Sequence, residues 1–398
     1  MTESKDFNPE DHLLFEQEKT APKEASVQES SGPDAGIRGA PSDKQSSPNY
    51  EEEISPEKVG RIIADRMEEH GFHPVVIFGS SNSGKSTMIQ SLFSYLMTEV
   101  DKGVGIYLDE SMIPVGTAYG RFALERAQAF FYKGMQEFID GKGPQATRVV
   151  APFFIPVRIV PPNKPEIRLA FMESAGEWYK PQRDTARFYQ ELREEVNGLL
   201  LNYQRGITFL HIVPFTQQET WTSERANEER NKEEIRDADS AIVGALTSYE
   251  SIRPFKTDDS HMMIMTKWDA RKPDEGHESL EDALLNVSDT ALVSALINQY
   301  QQGYSAFNSL MIPNDRKRLM RYCAGIMRGM EVVPPKTEEL QNALNMYRQN
   351  LWNWLYSNAV RTNPDISAEL LLFDPPPKKP ISIFDKITLT LGKLLAGE

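Results

Sequence analysis

Within this 398-residue chain, the run Gly79-x-x-x-x-Gly84-Lys85-Ser86 most directly specifies chemistry. Two glycines bounding four residues permit a tight loop whose backbone amides turn inward. Lysine adds a mobile positive charge, and serine adds a hydroxyl that can ligate a hard cation. The full loop, Gly79-Ser80-Ser81-Asn82-Ser83-Gly84-Lys85-Ser86-Thr87, follows the apolar run His73-Pro-Val-Val-Ile-Phe78 and opens a helical pattern that reaches about Val100. Strand, glycine-bounded loop and helix together place successive amides at a helix N-terminus, which suits phosphate. Lys85 would reach the β- and γ-phosphates of a nucleotide, and Ser86 would ligate Mg²⁺. The competing reading is a glycine-serine turn with an exposed lysine, and the flanking strand and helix argue against it.

Three later segments bear on which nucleotide. Thr266-Lys267-x-Asp269 ends an apolar run, Met262–Met265, and resembles the guanine-recognition motif of P-loop GTPases. A carboxylate there accepts from both N1–H and N2–H₂ of guanine, a donor pair that adenine lacks. The aliphatic stem of Lys267 can cover the base face. Glu173-Ser-Ala-Gly176-Glu177 follows another strand pattern and occupies the place of the family's Asp-x-x-Gly motif. Cys323-Ala324-Gly325 ends the last strand pattern and resembles the short (Ser/Cys)-Ala element of that family. Each match has a bland alternative: a solvated turn, an acidic strand end and a buried strand end, respectively.

Taken in order, these motifs over roughly residues 73–357 resemble a TRAFAC-class P-loop GTPase with a Ras-like G domain. The Gly-x-Gly-Pro-x-Ala-Thr run ending at Thr147, the Ala-Gly-Glu continuation and a large early insertion also resemble bacterial double-GTPase-type proteins. The resemblance implies a sheet of order 2-3-1-4-5-6. It implies that Glu173 holds Mg²⁺, that the Gly176 amide senses the γ-phosphate, and that Thr147 is the switch threonine ligating Mg²⁺. Thr117 is the rival for that last role. Glu177 stands where relatives carry a water-orienting glutamine, and the backbone at Cys323 and Ala324 would touch guanine O6. Lys85, Thr147, Gly176 and Glu177 would form the catalytic set. Glu for Asp at position 173 is a departure, one methylene longer. The implied activity is slow, Mg²⁺-dependent hydrolysis of GTP to GDP by a conformational switch, slow because no arginine finger is identifiable; Arg183 and Arg187 are near enough in sequence to be candidates in cis, and a surface role is the favoured reading of each. A nucleotide-binding scaffold that hardly hydrolyses, or an ATPase, are the alternatives.

The elements that must position these residues follow from pattern. Ser55-Pro56-Glu57 caps a helix with apolar Val59, Ile62, Ile63 and Met67, ended by Gly71. Phe153–Val160 and Ile167–Met172 read as a hairpin. Ile207–Val213, Met262–Met265 and Leu319–Cys323 read as strands. Helices are expected at Ala118–Ile139, from the loop after Glu177 to about Tyr203, and over Ala238–Ser251, Leu280–Gln301 and Glu338–Tyr356, with 217–237 a solvated charged stretch. The fold class is therefore α/β: a P-loop NTPase with a mostly parallel sheet, one antiparallel hairpin strand, helices on both faces and helical insertions.

Residues 1–54 are polar and acidic and read as a disordered tail. Residues 55–360 form the G domain, with insertions at about 102–146 and 215–255. Residues 361–398 comprise the linker Pro375-Pro-Pro-Lys-Lys-Pro380 and an amphipathic segment carrying Ile381, Phe384, Ile387, Leu391, Leu394 and Leu395. That segment reads as a docking helix for a protein partner or for its own domain, ahead of a membrane surface; the switch segments are the other expected partner surface. With 58 acidic against 44 basic residues the net charge is −14, which argues against a general nucleic-acid binder. The single cysteine, Cys323, excludes an internal disulfide and fits a reducing, cytoplasmic setting, with attachment to a membrane-associated complex at most peripheral. No stretch reaches the ~20 apolar residues of a transmembrane span. The six histidines show no ligand spacing, and His70 and His73 are expected at the surface.

Overall fold

The computed structural model describes residues 55–80, 82–98, 104–143, 152–174, 194–216, 225–254, 256–270, 284, 289–328, 331–333 and 335–366. The tail 1–54, the segment 381–395, and Ser81, Thr147, Gly176, Glu177, Arg183 and Arg187 lie outside these residues.

Helix α1 (Pro56–Glu69) starts as expected: the Ser55 side chain accepts from the Lys58 amide, and Pro56 takes the first position. Gly71 follows at φ +70° and turns the chain into β1 (Phe72–Gly79), which is buried along its whole length. Helix α2 (Lys85–Thr98) leaves the loop. The early insertion supplies β2 (Gly105–Leu108), then α3 (Ala118–Gln128), a π-helical turn (Ala129–Gly134) and α4 (Met135–Ile139). The predicted 118–139 helix is thus present, interrupted by the π-turn. The hairpin is β3 (Phe153–Val160) and β4 (Ile167–Glu173). Then come α5 (Glu194–Asn202), β5 (Thr208–Pro214), α6 (Arg225–Ile252) and β6 (Ser260–Thr266). The chain continues through α7 (Asp289–Gln299), α8 (Gln301–Ser309), β7 (Lys317–Arg321), the short strands β8 (Ile326–Arg328) and β9 (Glu331–Val333), and α9 (Glu338–Thr362).

Seven strands form one sheet in the order β2-β3-β4-β1-β5-β6-β7. Strand β3 runs antiparallel to both its neighbours, and the other pairs are parallel. From β3 onward this is the expected 2-3-1-4-5-6 order. The insertion adds an edge strand that the sequence reading did not include: β2 is four residues long, too short for a period-2 pattern to stand out. The fully buried β1 and β6 read as continuous apolar runs because helices cover both faces of a parallel sheet.

Three further differences have local causes. Helix α6 begins at Arg225, well before Ala238. Residues 232–237 are mostly exposed, so the described part of the charged stretch, from Arg225, is helical and its last residues are solvated as expected. Of the expected Leu280–Gln301 helix, 280–283 and 285–288 lie outside the described residues; the described remainder from Asp289 is α7, which ends at the buried Tyr300, whose hydroxyl donates to Pro214 O, and α8 follows. The Asp239 carboxylate, from α6, caps α8 by accepting from the Gln302 and Gly303 amides. His73 is buried, against the surface expectation: its ring nitrogens lie 2.9 Å from Thr362 Oγ1 and 2.8 Å from Thr208 Oγ1.

The core is stitched at several places by contacts far apart in sequence. Helices α1 and α5 cross so closely that a Cβ on Gly60 would lie 2.1 Å from Glu195 O, and one on Gly198 would lie 2.4 Å from Glu57 O. Arg253, fully buried, makes a two-point contact with Asp259 (2.8 and 3.0 Å) and donates to the carbonyls of Leu200, Tyr203 and Arg205. The insertion ends against the small hairpin, where the Val332 amide donates to Gly141 O at 2.8 Å.

Candidate functional site

The loop between β1 and α2 is built for close approach. A Cβ on Gly79 would lie 2.8 Å from both Ile212 O and Ser83 Oγ, while Asn82 (φ 59°) and Gly84 (φ +88°) take the left-handed conformation that reverses the chain. The amides of the first turn of α2 then face the loop. Lys85 Nζ reaches back across it, donating to Gly79 O and Ser80 O, each at 2.9 Å. Burial pushes the Lys85 ammonium down to about 8, partly offset by the negative charge of Glu173.

Beside the lysine, Ser86 Oγ donates to Glu173 Oε1 at 2.7 Å. Glu173 is the last residue of β4 and is 1% exposed; Ser174 after it is also buried. One hydroxyl and one carboxylate, both hard oxygen donors, match a Mg²⁺ that completes its shell with phosphate oxygens and water. Among the described residues no group of three His, Cys, Asp or Glu side chains forms a self-sufficient metal cage. The rival threonine, Thr117, is engaged as a helix cap: it accepts from the Gly120 amide and donates to Pro114 O, both at 2.9 Å.

The base-recognition candidates meet at the ends of β6 and β7. Thr266 Oγ1 donates to Ser83 O in a short contact, tying the end of β6 to the phosphate loop. Lys267 adopts a left-handed conformation (φ 54°), an unfavourable one for a residue with a Cβ, and it directs Trp268 inward. Trp268 is 1% exposed, packs edge-on against Phe215, and its amide donates to Tyr322 O. Asp269, half-buried, has its carboxylate beside the fully buried thiol of Cys323. Burial and then that negative charge push the thiol pKa well up, so Cys323 is a neutral packing group with its Sγ 3.3 Å from Gly325 O. Ala324 is half-buried. The structure thus brings Asp269, Cys323 and Ala324 together, and it brings Lys85, Ser86 and Glu173 together, with Thr266 and Ser83 between the two groups. The fold is that of a P-loop NTPase.

No family model and no curated protein matches the chain. Among solved structures it is similar to Toc33 from Arabidopsis thaliana in complex with Mg²⁺ and GMPPNP, at 10% identity and a TM-score of 0.30, covering 74% of this chain and 94% of that one. It is also similar to the S. cerevisiae Ski7 GTPase-like domain bound to GDP and inorganic phosphate, at 11% identity and a TM-score of 0.27, over 71% and 52% of the two chains. A third is an oligomerised bacterial dynamin pair, at 15% identity and a TM-score of 0.29, over 84% and 57%. The functional reading rests on the site's own residues.

Sequence reasoning missed several residues that hold these groups in place. Tyr322 hydroxyl lies 2.6 Å from Ser91 Oγ on α2, linking the base loop to the phosphate-loop helix. Arg348 on α9 donates to Ala324 O at 2.8 Å. Neither carries a sequence signal, because the partners are joined only by the fold.

Proposed function

We propose that this protein binds guanine nucleotide with Mg²⁺, hydrolyses GTP slowly and switches conformation between the triphosphate and diphosphate states. The observation that carries this reading is Asp269 lying against the Cys323–Ala324 turn. A carboxylate and a backbone loop at the ends of adjacent strands suit the N1–H/N2–H₂ and O6 edge of guanine, while Ser86 and Glu173 suit the metal at the phosphates. In this reading Lys85 binds the β- and γ-phosphates. Thr147, Gly176 and Glu177 remain candidates for the γ-phosphate response, with Thr147 completing the metal ligands. The surfaces around Thr147 and 174–187, and the amphipathic segment 381–395, are the proposed contacts for a protein partner in the cytoplasm, peripheral to a membrane-associated complex. No described helix is long and apolar enough to cross a membrane. The proposed boundaries are a tail over 1–54, the nucleotide domain over 55–360 and a docking region over 361–398.

A scaffold that binds nucleotide and barely hydrolyses it is the second reading, favoured by Glu173 standing in the place of aspartate. Single-turnover hydrolysis of GTP separates the two.

The test of the main reading is Asp269→Asn. Loss of the paired acceptor should weaken GTP by roughly 1–3 kcal/mol, several-fold to a hundredfold, and xanthosine triphosphate should gain relative to GTP. A variant that keeps the wild-type preference for GTP refutes the assignment of the motif.

A further inference from the structure

Arg348 is 8% exposed and sits on α9, far from the motifs in sequence. Its Nη2 donates to Ala324 O at 2.8 Å and its Nη1 to Asn345 Oδ1 at 2.9 Å. Asn345 Oδ1 also accepts from Gln341 Nε2 at 2.9 Å, so the acceptor is itself held by the helix. No acidic side chain pairs with Arg348 among the described residues, and its buried Nε makes no hydrogen bond there. Among the described residues the guanidinium faces only neutral acceptors, Ala324 O and Asn345 Oδ1, an arrangement whose desolvation those contacts do not offset as an ion pair would. Its charge stands behind the turn Cys323-Ala324-Gly325. That turn is fixed from its other sides by the Cys323 thiol on Gly325 O and by Tyr322, whose amide donates to Met265 O at 2.8 Å.

We propose that Arg348 is a positioning and specificity residue for the purine 6-position, holding the Ala324 carbonyl, and so the turn that presents the Ala324 amide, and adding a positive field behind it that favours an electronegative 6-oxo group. This rests on the guanine reading above and deepens it. Guanine carries a carbonyl at that position and adenine an amino group with positive hydrogens, so a fixed cation raises affinity for the first and lowers it for the second. Asp269 reads the N1 and N2 edge, and Arg348 acts through Ala324 on the neighbouring O6. The two contributions are therefore separable by analogues altered at one atom.

The experiment measures affinities of the full chain for GTP, ITP and 6-thio-GTP, with Mg²⁺, in wild type, Arg348→Met and Arg348→Lys, with a thermal melt of each. ITP lacks the 2-amino group and reports on Asp269; 6-thio-GTP replaces O6 with a weak sulfur acceptor and reports on the Ala324 turn. Wild type should prefer GTP to 6-thio-GTP by about three- to tenfold, the range of one neutral hydrogen bond. In Arg348→Met that ratio should fall towards one while the GTP to ITP ratio holds. Arg348→Lys, which keeps the charge and one donor, should retain most of the 6-thio discrimination, and it decides the matter if the methionine variant does not fold. An unchanged 6-thio ratio in the folded methionine variant overturns the proposal, as does a parallel loss of both ratios, which marks a merely structural arginine. If the lysine variant is the one that decides, loss of both ratios overturns it likewise. Wild type that fails to tell GTP from ITP refutes the guanine reading itself, a different failure from that of Arg348.

Discussion

Ser86 Oγ donates to Glu173 Oε1 at 2.7 Å, so the hydroxyl that opens α2 and the carboxylate that closes β4 already point at one place. Glutamate there, one methylene longer than aspartate, still brings its oxygen within hydrogen-bond reach of the serine. In the proposed reading, the Mg²⁺ dependence of binding runs through this pair. Glu173→Gln should remove the Mg²⁺-dependent part of GTP affinity, about ten- to hundredfold for a lost charged contact, while binding in EDTA changes little. Titration of a fluorescent GTP analogue with and without Mg²⁺ reads this directly, and equal losses in both conditions would exclude a metal role for Glu173.

Lys85 gives a pH dependence of known sign. Its ammonium is pushed down to about 8 by burial, so the free protein loses the positive charge as pH rises through that value. Phosphate requires the charged form. Nucleotide affinity should be flat below about pH 8 and then fall by up to about tenfold per pH unit. Lys85→Ala should bind weakly and show no such fall. Read between about pH 7 and 9, below the ionisation of guanine N1–H, a flat wild-type profile would mean the lysine does not contact phosphate.

The core carries an acid-sensitive pair. His211 Nε2 lies 3.1 Å from His261 Nδ1, the rings stack on each other, and Phe78, Phe209, Phe307 and Tyr249 enclose them. Burial pushes His211 down to about 3 and His261 well below its usual value, the latter helped by the positive charges of His211, Arg253 and Lys317. Folded values lie below the unfolded one, so the stability contribution is present above about pH 6.5 and is lost as pH falls toward the folded values. At pH 5 the loss from His211 should be on the order of 2 kcal/mol, and His261 adds in the same direction. His73, also held at about 3 by burial, adds to it. Urea midpoints at pH 7.5 and 5 should differ less in His211→Phe, which keeps a ring in the stack, than in wild type. An equal difference would place the acid sensitivity elsewhere.

The central parallel strands β1 and β6 were legible because they are buried on both faces and so write uninterrupted apolar runs, Val75–Phe78 and Met262–Met265. The phosphate loop was legible because its glycines and its neighbours obey one backbone logic, seen in the positive φ at Gly84. What escaped was decided by partners remote in sequence. Nothing near Gln302 shows that Asp239 will cap α8, nothing near Tyr300 shows that Pro214 will anchor its hydroxyl, and nothing near Ala324 points to Arg348. Strand β2 escaped because four residues, with Tyr107 left exposed, carry too little pattern. His73 misled because a histidine beside a turn is ordinarily wet, whereas here two threonine hydroxyls on other elements satisfy both ring nitrogens.

The early insertion lays β2 along β3, packs Phe131 against Phe93 of α2 with ring centroids 5.8 Å apart, and ends where Gly141 O receives the Val332 amide from the hairpin that follows the base turn. It is therefore no removable ornament on the sheet. Excising it would bare the edge of β3, strip an aromatic from the phosphate-loop helix and orphan a hairpin donor at once. A minimal version of this domain cannot be made by trimming back to the shorter sheet; residues 104–143 and the rest of the sheet brace each other, and engineering here must treat both as one unit.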